Sequence, residues 1–548
     1  MKPIHLVLFH KDILPAIISS FEYQDDIFRC LLVHSTWTGI VIKVLWKAPT
    51  WSSYRAYQKF LGSVAAPTAR YPYGTFVESL KFSSSAFQYN IQSLDLITNR
   101  CPNIQHLTFD CMKSPNNFPP EVLATLLLRF PNLVSLKGPN TASIHWITTT
   151  LEPIRKGNCR HLRSLTLPWD WRDPLLEMLL QDIGSHCLQI TSLNINTDVY
   201  DQIAKIIARS FPNIKIFSCL AVTHKSLGII LHGCRYLRSL KLQFSQDFND
   251  GEALAIADSF PLLNSFVLTR FWTSLPKFFK TWALNQRYLR HIEFSDCSSL
   301  TQEMFQPIVQ SCISLESVKL GHCHQITDSS ITFLARHRGR YLKRLSLHHN
   351  NGVSDMGINS IAEHCKNLRI LNLFECPRVT TSAIINIITQ CRLLMELSGS
   401  YSVVMTDPII KCLIINGSPK LEVLGNKFFA LNNSRVLKTI NSKLLSKLGN
   451  QMSTLRVLEI RYPIKGVNPN KLMKSILRFP QLEKLCIVPP PRLKRKHIRI
   501  LESHPRLKEV RFLAHNNAKV LQYIHDRERQ DRAGVRISIG IIDSEEEM

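Results

Sequence analysis

The sequence predicts an α/β fold: a right-handed solenoid, curved like a horseshoe, with a small all-α segment in front of it. The first observation is a phrase that returns at intervals of 26, 27, 26 and 26 residues, as LRHIEF from Leu289, LESVKL from Leu315, LKRLSL from Leu342, LRILNL from Leu368 and LMEL from Leu394. The second is an amphipathic stretch between the phrases, such as SDMGINSIAEHC from Ser354. The third is the length of 548 residues, which is too long for one ordinary compact core.

The returning phrase has the form of a leucine-rich repeat, in which LxxLxL recurs with a period of about 20 to 29 residues. The pattern can be followed over residues 77–513. Its 17 copies begin at Val77, Ile104, Leu133, Leu162, Ile190, Ile214, Leu237, Leu263, Leu289, Leu315, Leu342, Leu368, Leu394, Leu421, Leu455, Leu482 and Leu507. The interval from Leu421 to Leu455 is 34 residues, which indicates an insertion near residues 432–447.

Each copy is expected to hold a short strand, a polar turn and a helix, with Ser or Thr as the helix N-cap at Ser354 and Thr380. Parallel strands about 4.8 Å apart would form a curved inner sheet roughly 80 Å long, with helices on the convex side. Strand side chains alternate, so the second, fourth and sixth residues after the first leucine face away from the core. On this concave face we predict a target-binding surface made of Arg344, Ser346, His348, Ile370, Asn372 and Phe374. An exposed Phe374 would either meet a partner or be covered by a neighbouring loop.

Ten of the 15 cysteines fall into two columns of the repeat. Three residues before the first strand residue, cysteine alternates with phenylalanine, which predicts a buried apolar site: Cys101, Cys159, Cys187, Cys234, Cys312, Cys365 and Cys391, with Phe130, Phe211, Phe260 and Phe479. Eight residues after it stand Cys297, Cys323 and Cys376, with Asn350 in the remaining central copy, which predicts hydrogen bonds to the turning backbone. The pattern resembles the cysteine-containing subfamily of leucine-rich repeats and argues against a disulfide framework.

Residues 1–50 do not fit the repeat. They predict three short amphipathic helices, of which the first opens at Leu14-Pro15 and the last ends before Pro49. Such helices bury too little apolar surface to be stable alone, so they must dock onto the repeats or onto a partner. Residues 51–76 are interpreted as a linker or N-terminal cap, and residues 514–548 as a C-terminal cap with an acidic tail.

The N-terminal segment resembles the F-box. The matching residues are Leu14-Pro15, Ile17, Ile18, Cys30, Leu31, Val33, Trp37 and Leu45-Trp46. Ala16 and Ile17 stand where the family usually has an acidic residue, and the interval to Val33 is about one helical turn short. The resemblance implies that a Skp-type adaptor is bound by Leu14, Pro15, Ile17, Ile18, Val33 and Trp37. An F-box joined to cysteine-containing repeats is a familiar eukaryotic arrangement.

The resemblance implies a non-catalytic substrate-recognition subunit of an SCF-type, cullin-RING ubiquitin ligase, in which the adaptor and cullin hold the ligase and the repeats bind a target protein. The alternative is an interaction scaffold without ligase function that binds an acidic protein or nucleic acid, which the net charge of +26 favours. Apolar content of 45% and charged content of 20% are globular values, and no apolar run has membrane length. A cytoplasmic or nuclear protein without cofactors is therefore expected.

Four further features of the sequence are candidates for chemistry or binding. His322-Cys323-His324 and His348-His349 lie in adjacent copies, but Cys323 belongs to a structural column, so no metal is expected. The cysteines outside the columns have no His/Asp arrangement for catalysis: Cys30, Cys111, Cys219, Cys412 and Cys486. Two basic clusters, Arg336–Arg340 and Arg492–Arg499, are interpreted as solvated, with an acidic partner or nuclear import as the alternative. Trp169 and Trp171 would be rim anchors for a partner or would pack under a loop.

Overall fold

A computed structural model describes residues 18, 27, 30–34, 37–51, 54–82, 91–109, 120–138, 149, 152–167, 175–244, 248–399, 406–416, 419–425, 442–460, 468–487, 494–514 and 536–541. The chain divides into two compact units, Met1–Ser245 and Gln246–Met548. Leu14, Pro15 and Ile17, together with Trp169 and Trp171, lie outside the described residues.

The first unit begins with short helical pieces and continues as alternating strands and helices. Two 3-10 turns span Cys30–Leu32 and Tyr73–Phe76. The helices are α1 (Thr38–Lys47), α2 (Tyr54–Ala65), α3 (Ile91–Arg100), α4 (Pro120–Arg129), α5 (Leu175–His186), α6 (Asp201–Ser210) and α7 (His224–Gly233). The strands are β1 (Ser79–Phe82), β2 (His106–Phe109), β3 (Ser135–Lys137), β4 (Ser164–Leu167), β5 (Ser192–Ile195), β6 (Ile216–Val222) and β7 (Ser239–Phe244).

The second unit repeats the same alternation. Its helices are α8 (Asp250–Ala257), α9 (Pro276–Leu284), α10 (Gln302–Ser311), α11 (Asp328–Arg338), α12 (Asp355–His364), α13 (Thr381–Gln390), α14 (Asp407–Asn416), α15 (Ser442–Gln451), α16 (Pro469–Ile476) and α17 (Arg495–Glu502). Its strands are β8 (Ser265–Thr269), β9 (His291–Ser295), β10 (Ser317–Gly321), β11 (Arg344–Ser346), β12 (Ile370–Leu373), β13 (Glu396–Gly399), β14 (Val423–Leu424), β15 (Val457–Ile460), β16 (Lys484–Ile487), β17 (Glu509–Ala514) and β18 (Arg536–Ile541).

Within each unit every strand pairs in parallel with the next, and the leucine pattern sets the register. Each of β1 to β17 begins two residues after the first apolar residue of its copy, as Ser79 follows Val77. In the second unit one buried row runs from Phe266 through Ile292 and Val318 to Leu345, each the register partner of the one before. The repeating parallel α/β solenoid predicted from the sequence is confirmed. Residues 536–541 of the predicted C-terminal cap add β18, which pairs in parallel with β17.

The core lies between the strands and the helices, which pack side by side along each unit. The cysteine and phenylalanine column is buried throughout, as predicted. Its thiols also join successive copies, since Cys187 Sγ donates to the carbonyl of Cys159 at 3.3 Å and Cys391 Sγ to that of Cys365 at 3.5 Å. The helix N-caps are confirmed as well. Ser354 Oγ accepts from the N–H of Met356, and Thr380 Oγ1 accepts from the N–H of Ser382.

In four consecutive copies of the second unit, the turn after the strand contains the other predicted column. Cys297, Cys323, Asn350 and Cys376 are fully buried. Cys376 Sγ donates to the carbonyl of Leu347 at 2.9 Å. The residue just before this column adopts positive φ in five consecutive copies, at Arg270, Asp296, His322, His349 and Glu375. That conformation is costly for a side chain larger than glycine, so the hydrogen bonds of the column offset a strain that recurs in each turn.

Candidate interaction surfaces

The N-terminal segment forms a small core of its own. Ile18, Ile27, Cys30 and Val41 are buried together, with Trp37 packed against them. Ile18, predicted from the F-box resemblance to bind an adaptor, is fully buried in this core, and its role in adaptor binding stays a prediction. Val33 is 60% exposed and therefore available to a partner.

Aromatic side chains join this segment to the first repeat. The Trp46 ring lies 4.5 Å from that of Tyr73 and 5.9 Å from that of Phe60, centroid to centroid. Trp51 contacts the ring of Phe82 on β1 at 6.2 Å. The N–H of Glu78 donates to the carbonyl of Lys47 at 2.9 Å. The sequence predicts that the N-terminal helices dock either onto the repeats or onto a partner. In the structure they contact the first repeat.

The predicted inner-face residues of β11 and β12 lie side by side. Arg344 is the register partner of Ile370, and Ser346 is the partner of Asn372. Ser346 Oγ lies 3.0 Å from Nδ1 of His348. Arg344 is exposed and the side chains of Ile370 and Asn372 are partly exposed, so these residues do form one accessible patch.

Phe374 does not belong to that accessible patch. Its side chain is only 4% exposed, and its ring meets the edge of His349 at 5.2 Å. Of the two alternatives for this residue, the covered one is found. Phe374 thus stabilises the turn and offers almost no surface to a target, which corrects its place in the predicted site.

Histidines pack together where β10 and β11 end. The rings of His322 and His349 stack with centroids 4.0 Å apart, and His348 lies 5.8 Å from each of them. Burial, reinforced by His322 and His348, lowers the pKa of His349 to about 4. Burial likewise lowers the pKa of His348. A Cβ on Gly321 would collide with the His348 ring, so that glycine makes room for it. The rings of His348 and His349 are therefore neutral at neutral pH, and they act as packing groups.

Comparisons with known proteins show which proteins the chain is similar to. No family model matches the chain. Similar curated proteins are the Transport inhibitor response 1-like protein of Oryza sativa subsp. japonica, 26% identical over 323 residues, F-box protein FBX14 of Arabidopsis thaliana, 24% over 338, and GRR1-like protein 1 of Arabidopsis thaliana, 24% over 312. All three are F-box/leucine-rich-repeat proteins.

The chain is thus similar in sequence to F-box/leucine-rich-repeat proteins. Each alignment covers 55% of this chain and 52, 50 or 44% of the relative, so the chain spans about half the length of the curated relatives it matches. Among solved structures, the yeast Rad7 and Elc1 complex contains a similar chain with a TM-score of 0.39 and 14% sequence identity, covering 80% of this chain and 93% of that one.

The described cysteines of this chain are packing groups. The 14 described cysteines are all buried and none forms a disulfide. Burial raises the pKa of Cys101, Cys187 and Cys234 to about 12, which suppresses the thiolate that a nucleophile needs. Cys111 lies outside the described residues.

The histidine-rich turns show no metal-binding arrangement. The thiol of Cys323 points into the turn, where it donates to the carbonyls of Phe294 and Gly321. Within the described ranges, no group of three His, Cys, Asp or Glu side chains has the geometry to hold a metal ion. The helices of the same ranges also lack the length and apolar character needed to cross a membrane.

One residue of the first basic cluster, Arg336–Arg340, stabilises the fold. Arg338, the last residue of α11, donates to the carbonyls of Val309 and Gln310 at 2.6 and 2.5 Å, and so caps the end of α10. The second cluster is partly helical, since α17 starts at Arg495 and buries His497 and Ile498; Arg492 lies outside the described residues.

One further row of residues was not predicted; it lies at the position directly after the first leucine of each copy. In consecutive copies this position holds Arg290, Glu316, Lys343 and Arg369. An alignment of the copies shows that this column is rich in cations, so the sequence does contain a signal for it. The column was not predicted because this residue precedes the strand and does not belong to the alternating face.

Proposed function

We propose that this chain is the substrate-recognition subunit of an SCF-type, cullin-RING ubiquitin ligase. The N-terminal helical segment would bind a Skp-type adaptor, and the repeats would present a target protein to the ubiquitin-carrying enzyme held by the ligase. The chain would then act by raising the effective concentration of the target and fixing its orientation. It would form and break no bond itself.

One observation carries the proposal: a separate helical core with an F-box-like sequence lies against the first repeat of a leucine-rich-repeat protein. Kinship with F-box/leucine-rich-repeat proteins supports it. Exposure of Val33, at the predicted adaptor-binding position, is compatible with it. The aromatic contacts of Trp46 and Trp51 would hold the adaptor-binding segment at a fixed place relative to the repeats of the first unit.

A pull-down with the purified adaptor tests the first half. Val33→Asp puts a charge on an exposed position, so it should abolish adaptor binding without unfolding the chain. Leu188→Asp, at an exposed leucine of the first unit, is the matched control and should bind as the parent does. Leu14→Asp and Trp37→Asp extend the test. The ligase proposal is wrong if the parent chain does not bind the adaptor. It is also wrong if Val33→Asp, Leu14→Asp and Trp37→Asp all bind the adaptor as the parent does.

Target binding is tested by affinity purification and mass spectrometry. Ile370→Asp changes the accessible inner face, whereas Ile415→Asp adds the same charge to an exposed position on α14. The first variant should lose target proteins and keep the adaptor, and the second should keep both. An unchanged set of partners for Ile370→Asp would remove the inner face around Arg344 from the proposal.

A further inference from the structure

A row of residues lies where the helix-to-strand loops of the second unit enter the sheet. Glu316 N–H donates to the carbonyl of Arg290 at 2.9 Å, Lys343 N–H to that of Glu316 at 2.8 Å, and Arg369 N–H to that of Lys343 at 2.8 Å. The four backbones are therefore directly adjacent, and their side chains follow one another across four copies. This edge is distinct from the predicted inner face, which begins one residue later.

The row is strongly cationic. We define the basic rim as six side chains of these loops: Arg287, Arg290, Arg340, Lys343, Arg369 and Arg392. All are exposed except Lys343, which is partly exposed. Glu316 pairs with Lys343 at 2.8 Å and approaches Arg290 at 3.8 Å, and its hydrogen bond with Lys343 lowers its pKa. Within the described ranges, Arg287, Arg340 and Arg369 have no carboxylate partner, so the positive charge of at least three of the six rim side chains is not neutralised.

Exposed aromatic rings alternate with these cations. Tyr288 and Tyr341, each directly before the first leucine of a copy, are 54% and 50% exposed. Arg290, Arg340, Tyr341 and Lys343 also line a cavity of about 710 Å³ that opens along the rim. Cations that track a backbone, interrupted by aromatic faces on which bases stack, are the two features of sequence-tolerant binding to single strands.

The opposite edge of the same strands has a different character. The positive-φ row there contains Asp296 and Glu375 beside Arg270 and two histidines, one of which, His349, is held neutral. This row therefore holds fewer cations than the basic rim, and its one arginine is accompanied by two carboxylates. A linear array of exposed cations also fits a chain of regularly spaced charges better than a single phosphorylated side chain, which calls for cations that converge on one point.

We propose that the basic rim binds single-stranded nucleic acid, with phosphates on Arg287, Arg340 and Arg369 and bases stacked on Tyr288 and Tyr341. The rim residues belong to the second unit and the N-terminal segment to the first, so the two share no residue and this binding goes beyond the ligase role. A chain that failed to bind the adaptor could still bind nucleic acid, and the converse also holds.

The test is fluorescence anisotropy of the full chain with a labelled oligouridine of about 15 nucleotides, over a range of salt concentrations. The triple change Arg287→Gln, Arg340→Gln, Arg369→Gln should weaken binding at least about tenfold and flatten the log–log salt slope by about 2, since each lost contact to a single strand removes roughly 0.7. Tyr288→Ala with Tyr341→Ala should weaken binding at least about fivefold per ring and leave the salt slope unchanged.

The matched control carries the same loss of three charges on exposed helix positions of the first unit: Lys205→Gln, Arg209→Gln and Lys225→Gln. It should bind within about twofold of the parent. Unchanged thermal unfolding monitored by circular dichroism establishes that each variant is folded. The proposal is overturned if the parent does not bind, if both triple variants weaken binding equally, or if polyglutamate of the same charge competes as well as oligouridine. Competition by polyglutamate would indicate that the rim binds an acidic protein.

Discussion

The side chain of Asn350 and the backbone of Cys323 are joined across two neighbouring copies of the repeat. Asn350 Oδ1 accepts the N–H of Cys323 at 2.8 Å, and its Nδ2 donates to the carbonyls of Leu320 and Leu347 at 2.6 and 3.0 Å. One fully buried amide therefore satisfies three backbone groups in turns that contain the positive-φ residues His322 and His349. The same position is cysteine in the neighbouring copies, where a thiol can donate but replaces fewer of these bonds.

Replacing Asn350 should therefore be costly. Asn350→Leu leaves three buried backbone groups without a partner and is expected to destabilise the second unit by about 3 kcal/mol. Asn350→Cys restores a donor and should cost about 1 kcal/mol. The measurement is the urea unfolding midpoint followed by circular dichroism. Equal midpoints for the leucine and cysteine variants would contradict the role assigned to the amide.

The described thiols should be inert in the native protein. Burial raises the pKa of Cys101, Cys187 and Cys234 to about 12, so little thiolate exists at pH values near 8. Reaction with an aromatic disulfide reagent, followed by peptide mapping, should label none of the 14 described cysteines before unfolding and all of them in denaturant. Rapid native labelling of any cysteine in the Cys/Phe column would show that the site is not a packing position.

Trp51 should anchor the N-terminal segment. Its ring lies 5.1 Å from Tyr57 and 5.2 Å from Phe60, and it is buried. Trp51→Ala is expected to cost about 3–5 kcal/mol and to expose residues 38–65 to limited proteolysis. Trp272→Ala, at a half-exposed indole of the second unit, is the control and should cost about 0.5 kcal/mol or less. Equal protease resistance of the two variants would count against the anchoring contact.

His349 should make stability depend on pH. Its pKa falls to about 4 in the folded chain, below the value of about 6.5 for an unfolded histidine, so the unfolded state binds more protons between these values. The stabilising contribution is complete above about pH 6.5 and is lost as pH falls toward 4. With solvent screening of this partly exposed ring, we expect about 1 kcal/mol between pH 7 and 4.5.

The asparagine variant isolates this contribution. Asn tolerates the positive φ of this position, so His349→Asn should unfold with a flatter pH dependence than the parent. His324→Asn, at an exposed ring, controls for the loss of an imidazole as such. The comparison uses urea midpoints at several pH values. Parallel pH curves for the parent and His349→Asn would exclude the proposed linkage.

Much of the fold could be predicted because the same sequence pattern occurs in every copy of the repeat, so each copy supports the prediction for the others. Leu289 and Leu315 defined a register that holds for every strand from β1 to β17. The columns of Cys365 and Asn350 were predicted as core and turn positions on the same ground, and both are buried. The candidate site was predicted less well. Phe374 has the periodicity of an inner-face residue, but the turn that begins there folds its ring against His349.

The sequence by itself determined the period, the order of strand, turn and helix, and the identity of the buried columns, because these are local patterns that every copy repeats. Only the tertiary structure decided which residues of different copies touch. Arg290, Glu316, Lys343 and Arg369 are about 26 residues apart in the chain, yet backbone hydrogen bonds place them side by side. The stacking of His322 on His349 and the burial of Ile18 are likewise products of packing. Exposure and charge density depend on neighbours brought close by the sheet, and periodicity along one strand does not contain that information.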